Sequence, residues 1–481
     1  MSEYLKSNLV LILSFLFIMA NSVFIAMEMY WFTAIPFMLV LFLLAFVALD
    51  KLIWFIVFTT PLSINLEEMA FGGIGMFLPT EPLMFGVMIL FILRLCIERN
   101  FDHKVAFHPI TYIVYLYLIW VGITTLTSTM PLVSIKFLTA KLWFIITFYF
   151  IASQLFVKVK NIRLFFWLLV IPLSCVAVYT FIHHSMYDFE ERPAHWVMQP
   201  FFKDHTVYGA VMALLFPIVL LLYNLKRYRK YRVIIFFMVI VFLLGIIFSY
   251  GRSAWLSLVF ALGVYLIYRF KIKFSFLLTV AAIAAVVLAL YWNHVLNTLE
   301  QNTQDSTGTK LSEHVQSISN ISTDASNLER INRWNSALAM FKEKPFFGWG
   351  PGTYSFQYAP FQSRQDKTII STNAGDMGNA HSEFLGPLSE QGLMGPLIYI
   401  LLYIFFYYKA SILYKRLPPG ELRQIVLFVI LAMSTYVING ILNNFLDTDK
   451  ASVPFWAFIA IVVSIDIHRK AMLKEIRQSE L

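Results

Sequence analysis

Val211–Tyr223 and Val233–Ser249 contain no Asp, Glu, Lys or Arg. Runs of that length leave the backbone only one economical solution, a helix that satisfies its own hydrogen bonds inside a bilayer. Similar runs recur along the 481 residues, of which 59% are apolar and 14% charged, so the chain reads as an all-α polytopic membrane protein. Apolar segments from 8–26 to 452–466 give roughly 12–14 crossings; a short one at 51–63 is counted, and two others lie at 30–49 and 274–292. Three regions follow: an N-terminal bundle of about eleven helices (1–292), a long polar loop (293–391), and C-terminal helices with a tail (392–481).

The net charge of +9 does not point to nucleic acid, because Lys and Arg are confined to short linkers and form no basic stripe with interleaved aromatics. Counting alternate sides places Lys158, Lys160, Arg163, Lys226 to Arg232, Arg269 to Lys273, Lys409 to Arg423 and Arg469 to Arg477 together. By the positive-inside rule that side is cytoplasmic, with both termini on it, and the loop 293–391 faces outward. Cys96 and Cys175 offer neither a disulfide framework nor zinc-ligand spacing. The amino terminus lacks a small-residue cleavage site and reads as a retained first helix.

Within the loop, Glu300 to Ser326 is polar and is expected to be loosely ordered. Ser326-Asn327-Leu328-Glu329 reads as a capping box. Leu328, Ile331, Trp334, Leu338 and Phe341 then recur at helical spacing and predict an amphipathic helix that ends before Pro345 and packs its apolar face on the membrane or the bundle.

Several polar residues stand at the outward ends of apolar runs. Arg252 follows Gly251, which is expected to permit a sharp turn; its bland reading is a snorkelling arginine. Arg330 and Arg333 lie on neighbouring flanks of the amphipathic helix and suit either lipid phosphates or a bound diphosphate. His381 stands ahead of a membrane helix, and if the chain is helical from Ser382 onward that dipole would keep the ring neutral as a base. Lys141 lies too deep in its helix to snorkel easily and is expected to face an anionic ligand. Asp204 and His205 either cap a helix or orient a substrate. Asp447 and Asp449 have the spacing of a metal-binding carboxylate pair, though an exposed acidic turn is the commoner meaning. Gly348-Trp349-Gly350-Pro351-Gly352 follows a helix and not a strand, so it reads as close backbone packing, not a dinucleotide loop.

The ordered set Tyr250-Gly251-Arg252-Ser253, Arg330 with Trp334, Pro345 and Gly348-x-Gly350, and His381 to Leu385 followed by Glu390-x-Gly392-x-x-Gly395 resembles the O-antigen ligase family, whose shared region includes the glycan polymerases. Ser382 departs from the family's usual Asn. The resemblance implies a GT-C-like, metal-independent, inverting glycosyltransferase of the bacterial inner membrane that works on its periplasmic side without a cofactor. Its donor would be a glycan on undecaprenyl diphosphate, and its acceptor a sugar hydroxyl of lipid A-core or of another lipid-linked glycan. His381 would be the general base, Arg252, Arg330, Arg333 and Lys141 the diphosphate ligands, and Asp204, His205, Trp334 and Ser382 substrate-positioning groups. A polymerase is the alternative within the family. Arg364 to Gly375 and Arg252 to Gly263 both fit an Arg-x10-Gly pattern, but twenty glycines make such matches expected by chance. A lipid-sugar flippase would need cations near mid-membrane and two similar halves.

Overall fold

The structure, a computed structural model, describes residues 3–27, 32, 33, 36, 48–65, 76–98, 101–273, 276, 279, 290, 291, 325–363, 371 and 378–480. The segments expected at 30–49 and 274–292, the polar stretch 300–324 and the Arg364 to Gly375 pattern lie almost wholly outside those residues.

A first unit, Met1–Phe55, holds helix α1 (Glu3–Ala26), whose Phe17 and Phe24 stack on Phe32. Helix α2 (Leu49–Thr59) runs into the second unit, Ile56–Leu481. There a short antiparallel pair, β1 (Ile64–Asn65) and β2 (Phe77–Leu78), leads to α3 (Thr80–Glu98). The series continues through α4 (Pro109–Leu126), α5 (Pro131–Leu155, with a π-helical stretch at Ile146–Ile151), α6 (Val159–Ser185), α7 (His205–Asn224), α8 (Arg232–Ile247) and α9 (Arg252–Phe270). After the described part of the loop, α10 (Ala325–Glu343) and α11 (Leu385–Gln391) precede α12 (Met394–Arg416), α13 (Glu421–Leu442) and α14 (Asp449–Glu480). Ten helices among the described residues, α3 to α9 and α12 to α14, are long and apolar enough to cross a membrane.

Burial sorts these helices. Every residue from Ala451 to Ile465 in α14 is buried, so that helix is apolar all round and central. α7 and α9 pack on α13, and α12 packs on α4. Hairpin connectivity gathers the ends near residues 80, 126, 131, 205, 247, 252, 394, 442 and 449 together. Long-range bonds hold that end. Ser63 and Thr80 each donate to Asp449 Oδ2 at 2.6 Å, Trp120 Nε1 donates to the Gln391 carbonyl at 3.0 Å, and Ser134 donates to the Pro351 carbonyl at 2.8 Å. At the opposite, basic end Arg163 grips Glu421 through two bonds of 2.5 and 2.7 Å, and Asp466 faces His108 and Lys409.

The glycine segment is fitted backbone to backbone. Gly348 has φ +66°, and a Cβ there would collide with the Glu390 carbonyl group. Gly348→Ala is therefore expected to cost at least about 1 kcal/mol and to lower the thermal unfolding midpoint in detergent. Gly263→Ala, inside α9 and meeting nothing within 4 Å, is expected to keep the midpoint or raise it slightly. Equal midpoints for the two variants would contradict this packing.

Candidate functional site

The turn between α8 and α9 is built by Tyr250, not by Gly251. Tyr250 takes the left-handed conformation (φ 50°) while Gly251 has an ordinary φ of −78°, which corrects the expectation that glycine makes the bend. The strain is held by tertiary bonds. Tyr250 Oη donates to the Phe189 carbonyl at 2.8 Å, and His205 Nδ1 bonds the Ser249 carbonyl at 2.7 Å. Asp204 caps α7, accepting from the backbone of Thr206 at 2.8 Å and Val207 at 3.0 Å. Arg252 is thereby fixed as the first residue of α9, against the positive end of that helix dipole. Cation and dipole together favour an anion there.

α10 turns an unexpected face inward. The helix starts at Ala325, ahead of the expected cap, and the buried side carries Glu329, Asn332, Arg333, Ser336, Ala337 and Met340. Leu328, Ile331, Trp334 and Phe341 are only part-buried and Leu338 is exposed, so the apolar stripe is not the packed one. Ser326 lies inside the helix and so does not cap it. Glu329 accepts from Arg333 Nε at 2.7 Å and from Ser371. Burial pushes that carboxyl up, but the Ser371 and Arg333 bonds outweigh it and hold Glu329 below the usual range. Arg333 also donates to the Asn379 carbonyl at 3.1 Å and lies over the Tyr358 ring, and a Cβ at Gly378 would strike its guanidinium. Ala337 and Met340 form a small core with Tyr354, Tyr358 and Ala380, which carries the His381 segment.

His381 is part-buried with a left-handed backbone (φ 47°). Its N–H donates to Asn379 Oδ1 at 3.1 Å, and its carbonyl accepts from Trp334 Nε1 at 3.4 Å. Ser382 Oγ accepts from Phe384 N and Leu385 N, so this hydroxyl caps α11. The Asn443 side chain stands close enough to the His381 ring to favour its protonated form, and its Nδ2 donates to Ser253 Oγ at 3.3 Å. The histidine is thus one side chain away from the neighbour of Arg252.

Burial first, then the guanidiniums of Arg333 and Arg330, push the His381 imidazole down to about 4. Desolvation and two cations thus favour the neutral ring. Arg330 donates to Asn327 at 3.4 Å, and its charge together with that of Arg252 also reaches His205. Arg252, Arg330, Arg333, His205 and His381 therefore form one cluster, with Asp204 and Trp334 beside it.

Lys141 is placed elsewhere. Its buried ammonium donates to the Leu446 carbonyl and to Asp447 Oδ1, both at 2.8 Å, so it clamps the α13–α14 loop. Asp447 and Asp449 diverge, the first onto Lys141 and the second onto Ser63 and Thr80. Among the described residues no group of three or more His, Cys, Asp or Glu has the arrangement of a metal site. Glu383, which the sequence did not single out, accepts from Tyr436 Oη at 2.7 Å and Leu446 N at 2.9 Å. Burial raises Glu383 and Glu390 to about 7, the latter against bonds from the Tyr354 and Gly352 backbone.

Fold and site define a many-helix membrane protein with a cationic, histidine-bearing cluster at one end of its spans. Residues 237–400 match the family described as O-antigen ligase, about a third of the chain, so the resemblance read from the motifs holds there. The match supports O-antigen ligase or polymerase family function, that of glycosyltransferase-like enzymes, and the all-α polytopic fold is consistent with the GT-C class. No curated protein matches the chain.

His381 should titrate near 4, and Arg330→Gln should move its midpoint upward by removing a cation. Histidine-labelled NMR in detergent checks this; a midpoint near the unperturbed 6.5 in the parent protein would refute the electrostatic account.

Proposed function

We propose that the protein transfers a glycan from undecaprenyl diphosphate to a sugar hydroxyl on the periplasmic face of the bacterial inner membrane, with both termini in the cytoplasm. The acceptor is lipid A-core in the ligase reading that we favour, and a second lipid-linked glycan in the polymerase reading. The observation that carries the proposal is the convergence of Arg333 and Arg330 on the His381 ring, with Asn443 beside that ring and bonded to Ser253, the neighbour of Arg252. A transporter would carry such cations near mid-span, whereas these stand at helix ends.

In the proposed step the acceptor oxygen bonds to the anomeric carbon as the carbon–oxygen bond to diphosphate breaks, inverting the centre. The hydroxyl proton goes to His381, and the leaving electron pair goes to a diphosphate oxygen. Arg252 and Arg330 stabilise the negative charge that builds there, and in a partly dry cleft preplaced guanidiniums are more effective than in water. Arg333, already paired with Glu329, tunes His381 and orders the segment that carries it. A base held near 4 is a weak proton acceptor. Diphosphate between the arginines offsets the charge that depresses it, so the base gains strength when the donor is bound. The cationic work falls to guanidiniums, and the proposed reaction needs no divalent ion.

Purified protein with a synthetic undecaprenyl diphosphate glycan and lipid A-core should form product in the presence of a chelator. His381→Ala should lower kcat by about 10²–10⁴-fold, and Arg252→Ala or Arg330→Ala by about 10²–10³-fold. Undiminished transfer by these variants would end the assignment. In cells, deletion should remove all glycan from lipid A-core; retention of a single repeat unit there would select the polymerase.

A further inference from the structure

A cavity of about 470 Å³ opens beside His381, within the ~300–1,000 Å³ of small-ligand pockets. His381 and Arg333 form one wall, and its other walls come from elements remote in sequence: β1, β2, the start of α3, the approach to α7, and the α13–α14 loop. Arg252 and Arg330 are not among the described lining residues.

Its chemistry differs from that of the arginine cluster. Glu81, Asp204 and Asp447 contribute carboxylates, Asn444 contributes an amide, and Phe77 and Phe202 contribute aromatic rings. Two of the three cations on the lining are engaged. Arg333 is paired with Glu329, and Lys450 donates to the Ser63 carbonyl at 2.9 Å and the Thr60 carbonyl at 3.3 Å beside Asp449. Lys203 stands exposed at the rim. Asn444 Oδ1 is buried without a partner among the described residues, an acceptor that a ligand hydroxyl would satisfy. Oxygen acceptors beside aromatic faces suit a polyhydroxylated ring that donates from its rim and packs its C–H face on a ring.

We propose that this cavity is the acceptor subsite, which takes an uncharged sugar ring of the acceptor glycan and presents one of its hydroxyls to His381. The inference rests on the glycosyltransferase reading and adds where the second substrate binds and by what chemistry. Glu81 accepts sugar hydroxyls while its Oε2 holds the Phe77 backbone N–H at 3.1 Å, so the same carboxylate sets the ring position of Phe77.

The test uses full-length protein in detergent with both substrates varied. Glu81→Gln and Phe77→Ala are expected to raise the acceptor KM about tenfold with the donor KM unmoved. On the parent protein, lipid-free acceptor saccharide should compete with acceptor and not with donor, and inorganic diphosphate should do the reverse. The saccharide should also inhibit Glu81→Gln more weakly. A parent protein that transfers no glycan overturns the enzymatic reading and the subsite with it. An active parent whose folded variants keep the acceptor KM, or shift the donor KM instead, overturns the subsite alone. Should both variants fail to fold, saccharide competing against donor in the parent protein overturns it as well.

Discussion

A polar side chain drawn beneath the ends of membrane helices has to find its partner inside the protein, because neither hydrocarbon nor a packed interior supplies water. That constraint shapes the site. Asn443, 1% exposed, meets it by bonding Ser253 at the start of α9 beside the His381 ring. Glu329 and Arg333 meet it by pairing with each other on the inward face of α10. Each solution joins segments far apart in sequence, so polar satisfaction and assembly of the site are the same event.

The α13–α14 loop shows how firmly this is done. Lys141 on α5 holds the Leu446 carbonyl, Glu383 holds the Leu446 N–H, and the Glu383 N–H donates to the Gly440 carbonyl at 2.7 Å. Both polar atoms of one peptide residue are thus claimed by buried ionisable side chains from different elements. The loop carrying Asn443 is set from below by a cation and from the His381 segment by a carboxyl. Removing Lys141 would take the ion-pair partner from Asp447 and the donor from the Leu446 carbonyl, a larger penalty than the loss of one surface contact.

The spans were legible because long uncharged runs have one structural meaning, and the motifs around Arg252, Arg330 and His381 were legible because a fixed order of short segments is specific. The phase of α10 was not. The periodicity rule assumes that the apolar stripe is the buried one, and here Asn332, Arg333 and Ser336 are buried while Leu338 is exposed, as suits a helix with lipid on one side and a polar site on the other. Lys141 was correctly marked as buried, but depth alone says nothing of whether the partner is a ligand or a backbone carbonyl. Asn443 carried no signal: an Asn-Asn pair at a helix end is ordinary, and its importance comes from Ser253, 190 positions away. Tyr250 was passed over because glycine is the residue expected in a bend, whereas a bond to Phe189 holds the tyrosine there.

Charge is sorted across the site. Guanidiniums gather at the starts of α9 and α10, and carboxylates gather at the start of α3, the approach to α7 and the α13–α14 loop. A base at the boundary feels both, and the guanidiniums with burial prevail, since His381 is driven down to about 4 despite Asp204 and Asn443 acting the other way. In the proposed reaction that imbalance is what the donor corrects. A diphosphate anion drawn to the arginines cancels the field that weakens the histidine, and the hydroxyl to be activated sits on the side that offers the unpartnered Asn444 Oδ1 and the Phe77 and Phe202 rings. The two substrates are then told apart by charge before either meets the reacting carbon, and the base strengthens only when a leaving group is in place, which disfavours deprotonating an acceptor that has nothing to attack.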